Sequence, residues 1–70
     1  MTQEQKTQIL REFARAYRNY MQAKKDKDNY CINHYNAKCI QLETICEILH
    51  IYNDLKILKM QLDVVIAIDY

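Results

Sequence analysis

Seventy residues, half of them apolar and 27% charged, with a formal net charge of +1, make one domain at most, in a composition that is neither disordered nor fibrous. The longest apolar run, "VVIAI" at 64–68, falls far short of the ~18 residues of a bilayer span, and "MTQEQKTQIL" lacks the basic-then-apolar order of a signal peptide, so the chain reads as cytoplasmic with no membrane contact. Glycine and proline are absent altogether, which argues against φ > 0 turns, tight hairpins and phosphate-cradling loops and leaves helices joined by Asn, Asp and Lys.

Thr2 with Gln5 fits the capping-box pattern that starts a helix. Ile9, Leu10, Phe13, Ala16, Tyr17, Tyr20 and Met21 then recur at helical spacing, which predicts a first helix over about residues 3–25. The pattern dissolves in "AKKDKDN", where Asp28 or Asn29 is placed to cap the next element. A second helix is expected from about 30 to 52. Its heptad seam is Ile32, Tyr35, Cys39, Leu42, Cys46 and Leu49, and Ile45, Ile48 and Tyr52 form a second row beside that seam. Asn53-Asp54 offers a break and a new N-cap, and Leu55, Leu58, Leu62 and Val65 predict a third helix over about 54–66, with Lys56, Lys59 and Asp63 on the opposite face. Continuation of the second helix through Asn53, or a short strand at "VVIAI", are the alternatives for residues 53–70.

The expected fold is therefore all-α, a single domain over residues 1–70 with a helical hairpin or three-helix arrangement. The apolar arc of the second helix is wider than one neighbour can cover. Self-association into a dimeric bundle through Tyr35, Cys39, Leu42, Ile45, Ile48, Leu49 and Tyr52 follows as an expectation.

Three cysteines and two histidines occur in the chain, and an odd cysteine count suits reduced thiols better than a disulfide framework. Cys31/His34 and Cys46/His50 have chelating spacings, but a rise of about 1.5 Å per residue puts Cys31 and Cys46 roughly 22 Å apart along one helix. Cys46 and His50 are the better metal candidates, through a dimer that would join two copies of the pair. The simpler reading makes Cys39 and Cys46 small apolar seam residues, with no metal and no cofactor.

Arg11, Arg15, Arg18 and Lys25 make one basic stripe on the first helix, opposite Phe13, Tyr17 and Tyr20. Residues 1–38 hold 8 basic and 4 acidic side chains and residues 39–70 hold 2 and 5, so a basic half precedes an acidic one. The stripe is the candidate partner-binding or anion-binding site, since guanidinium groups suit carboxylate and phosphate; a merely solvated face, with Glu12 pairing Arg15, is the plain alternative. Catalysis finds no support. No serine is present for a triad, Cys46/His50 has neither an orienting group nor an oxyanion loop, and no two carboxylates are placed to share a cleft.

At Leu62 and Asp63, "KMQLDVVIAIDY" resembles the Ser-Gln-Glu-Leu-Asp motif of small sporulation-regulator phosphatases, which are helical hairpins. Lys59 stands where the serine should be, and the family is not assigned. The expected function is that of a small non-enzymatic interaction module, an adaptor or inhibitor that self-associates and binds a protein. An anion-binding protein contacting nucleic acid or a nucleotide through the arginines is the alternative. The preference for Ile, Asn, Lys and Tyr is usual in AT-rich genomes such as those of low-GC bacteria and their phages.

Overall fold

A computed structural model describes residues 2–69, which form three helices packed on one another: α1 (Gln3–Asp26), α2 (Asn29–Ile48) and α3 (Tyr52–Asp69). The all-α expectation holds. α1 starts as its sequence indicates: the Thr2 hydroxyl accepts from the Gln5 amide at 3.1 Å, and the Gln5 side chain accepts from the Thr2 amide at 3.0 Å. Two of the unpaired N–H groups at this helix end are thereby satisfied.

Both connections turn through a left-handed residue that is not glycine, Lys27 at φ 57° and His50 at φ 60°. At the first, the Lys27 amide donates to the Lys24 carbonyl at 3.2 Å and the Asp28 amide to the Ala23 carbonyl at 3.1 Å. At the second, the His50 amide reaches the Glu47 carbonyl at 3.2 Å and the Ile51 amide the Cys46 carbonyl at 2.9 Å. Each pair is a Schellman closure. The lack of glycine therefore does not exclude positive-φ turns here; Lys27 and His50 adopt the conformation because the paired carbonyls offset its cost of about 1–2 kcal/mol. Asp28 then caps α2 by accepting from the Cys31 amide at 3.2 Å.

The second helix is shorter than its periodicity suggests. It ends at Ile48, and the break falls at Leu49–Ile51, not at Asn53-Asp54. The physical reason lies in Ile51, which the turn carries into the core beside Cys46; they are 7% and 0% exposed. A residue past a Schellman turn commonly makes such an apolar contact back to the last turn of its helix. α3 is correspondingly longer, and "VVIAI" is helical throughout, not a strand.

Two cross-links mark the direction of α3, which the two reversing turns establish. Lys6 pairs with Asp54 at 2.9 Å, and the Tyr17 hydroxyl donates to Asp63, so α3 runs in the same sense as α1. α1 packs most extensively on α2, whereas α3 leans on α1 more than on α2. The core between them comprises Phe13, Ala16, Tyr17, Cys39, Cys46, Ile51, Leu55, Leu62 and Ile66. Phe13 and Tyr17 stack at its centre with ring centroids 5.7 Å apart. The fourth residue of the buried α3 row is Ile66; Val65, expected there, is 39% exposed. Asp63 and Lys59 border that row instead of opposing it, which is how both reach Tyr17.

Candidate functional site

The outward face of α1 presents Arg11, Arg15, Arg18 and Lys25, all exposed. Burial of Phe13, Ala16 and Tyr17 on the inner side fixes this orientation, because residues three and four apart share a face and the arginines fall between the buried positions. Arg11 and Arg18 lie two turns apart, about 10 Å along the axis. With Ala14 and Asn19 the three arginines line a shallow depression. Among the described residues none of these three guanidinium groups has an ion-pair or hydrogen-bond partner. Glu12, four residues from Gln8, accepts that amide at 3.2 Å and does not pair with Arg15. Three forked donors on one ridge match carboxylate or phosphate oxygens pairwise, in a manner a lysine row does not reproduce.

The basic groups elsewhere on α1 and α3 are placed differently. Lys6 is tied to Asp54, Lys24 sits 5.4 Å over the Tyr20 ring and Lys59 sits 5.7 Å over the Tyr17 ring. These three cations lie against groups of the chain itself, whereas the three guanidinium groups of the ridge face solvent.

The residues expected to mediate self-association divide into two groups. Cys39 is buried and Leu42 half-buried, and both pack with this chain's own core. Tyr35 is half-buried, with His34 edge-on at 5.0 Å, and His34 also stacks on Tyr30 at 6.4 Å. Ile45, Ile48, Leu49 and Tyr52 remain exposed around the α2–α3 turn. Leu49 also borders an apolar groove completed by Ile9, Gln5 and Gln8 of α1.

The cysteines and histidines do not converge. Cys46 lies in the core, while His50 lies beyond the end of α2 in an exposed turn, so the helical i, i+4 relationship assumed for them is lost. Among the described residues no group of three or more His, Cys, Asp or Glu side chains is arranged to hold a metal ion. Burial, with the Glu43 carboxylate nearby, pushes the Cys39 and Cys46 thiols above their ordinary range and keeps them protonated and inert. The Tyr17 hydroxyl is raised well above the ordinary phenol range, first by burial and then by its bond to Asp63.

The sequence reading overlooked the outer side of α3, where Ile57, Met60, Val64 and Ile68 are each more than half exposed. Their 3-4-4 spacing was present in the letters. It lay hidden because the Leu55/Leu58/Leu62 row has the same period and sufficed to describe the helix. Among the described residues no helix is long and apolar enough to cross a membrane. Comparison with known proteins finds no family model, no curated relative and no solved structure that matches this chain.

Proposed function

We propose that this chain is a non-enzymatic helical interaction module that self-associates and binds an acidic protein surface through the arginine face of α1. Its mode of action is occlusion, as adaptor or inhibitor: a rigid ridge covers a carboxylate-bearing site on the partner. The observation behind this reading is the set of three unpaired, exposed guanidinium groups within two turns of one helix. Unpaired arginines have no existing ion pair to break before they bind, so their full donor capacity is available to a partner. A net charge of only +1, with an acidic second half, favours a local acidic patch over the long phosphate array of a nucleic acid.

The test is capture from native host extract by the tagged chain, compared with an Arg11→Glu/Arg15→Glu/Arg18→Glu variant. Loss of the captured protein with unchanged helical content is the expected result. Undiminished capture by the triple variant would remove the arginine face from the proposal. A parallel mobility-shift titration with duplex DNA separates the nucleic-acid reading, which demands a complex that weakens steeply with salt.

A further inference from the structure

α3 has two apolar rows of identical spacing. Leu55, Leu58, Leu62 and Ile66 belong to the core, with Leu58 partly buried. Ile57, Met60, Val64 and Ile68 repeat the same steps two residues further on, about 160° round the helix, and are 55%, 62%, 61% and 78% exposed. Lys56, Lys59 and Asp63 lie along one border of the outer row and Asp54, paired with Lys6, lies along the other. No charged side chain interrupts the row itself. A helix packed on one side only has no use for a second apolar row.

The surface of the whole chain also exceeds what its mass predicts. A compact 8.5 kDa monomer exposes about 4,650 Å² by the usual scaling with mass, and this chain exposes 5207 Å². The excess of about 550 Å² is close to the ~600 Å² that each partner loses in the smaller stable interfaces. Exposed apolar side chains gathered in one row, on a chain with surface to spare, mark an interaction site.

We infer that the outer row of α3 is the seat of a second copy of this chain, α3 lying against its counterpart about a two-fold axis. A two-fold contact places one surface on its own image, so an uninterrupted apolar row meets an uninterrupted apolar row and no charge is buried. The exposed apolar residues at the end of α2 suit this role less well: Thr44, Glu47 and His50 are interspersed among Ile45, Ile48 and Leu49. The inference rests on the self-association within the proposed function and names its surface.

Sedimentation equilibrium of the native chain, Val64→Glu and Ile48→Glu decides it. The expected result is a native dimer, a Val64→Glu dimer weakened by roughly 100-fold or more through burial of an unpaired charge, and an Ile48→Glu dimer of native strength. A native chain that is monomeric at every concentration overturns both this inference and self-association itself. Dimerisation lost in Ile48→Glu but kept in Val64→Glu overturns the α3 surface and leaves self-association standing. Should Val64→Glu fail to fold, amide hydrogen exchange of the native chain above and below its dissociation constant gives the answer without a variant. Concentration-dependent protection within 57–68 supports the surface, and protection confined to other segments overturns it.

Discussion

The Tyr17 hydroxyl donates to the Asp63 carboxylate across 46 residues of chain, joining the middle of α1 to the middle of α3. The donor's ring lies in the core between Phe13 and Tyr20, whereas the acceptor stands at the edge of the molecule. A buried aromatic body with its polar tip reaching a charged acceptor at the rim is a common solution for tyrosine. Here it fixes the register of α3 on α1. Replacing Tyr17 by Phe retains the packing and removes the bond, at a cost of about 1.5–3 kcal/mol for a hydrogen bond to a charged group. In thermal unfolding that loss appears as a fall of roughly 6–24 °C in a domain of this size, and Asp63→Asn, which keeps an acceptor, should lose less.

Stability should decline at alkaline pH, earlier than lysine titration alone explains. The folded state raises the proton affinity of Tyr17, Cys39 and Cys46, each chiefly by burial. A group whose folded value lies above its unfolded one contributes stability that is fully present below the unfolded value and fades as pH rises beyond it. For the thiols that decline begins near pH 8.5 and for the phenol near pH 10. Melting temperatures measured from pH 7 to 11 should fall along this course. In Cys39→Ala/Cys46→Ala the slope near pH 9 should shrink, Cys31 keeping its own share, and a slope identical to that of the native chain would refute the assignment.

Lys27 and His50 offer a route to a more stable protein. Both hold the left-handed conformation that glycine adopts without a Cβ penalty. The gain from relieving the native backbone exceeds the entropy glycine adds to the unfolded chain, so Lys27→Gly and His50→Gly should each stabilise by about 0.5–1 kcal/mol. His50→Val, β-branched at the same position, should destabilise. Chemical denaturation midpoints of the three variants check the prediction.

Thiol reactivity should separate the three cysteines. Cys31 is half-buried near the start of α2, while Cys39 and Cys46 lie in the core. Under native conditions a thiol reagent should modify Cys31 first, and slowly, because the Asp28 carboxylate holds that thiol's proton. Cys39 and Cys46 should react only at the rate of unfolding. Rapid modification of all three in the folded protein would show that the α1–α2 core opens far more readily than its packing implies.

Phe13 carries the greatest single packing weight, being large and wholly buried against Tyr17. Phe13→Ala should cost about 3–5 kcal/mol, which is most of what so small a core supplies. Circular dichroism should show a chain largely unfolded at 37 °C.

The sequence alone determined that the chain is helical, where α1 begins and ends to within a residue, that Asp28 or Asn29 caps α2, and that the arginines share a ridge facing away from Phe13 and Tyr17. All of these depend on interactions within a few residues: periodicity, capping and the 3.6-residue turn. The end of α2 was decided otherwise. Asn53-Asp54 is the better local break, yet the turn falls at His50 because it allows Ile51 and Leu55 to enter a core whose other walls are α1 and Cys46. The register of α3 on α1 likewise involves Tyr17–Asp63 and Lys6–Asp54, partners remote in sequence. Of the two equal rows on α3, only packing could choose which is buried. The tertiary structure buries Leu55, Leu58, Leu62 and Ile66, and leaves Ile57, Met60, Val64 and Ile68 for another surface to cover.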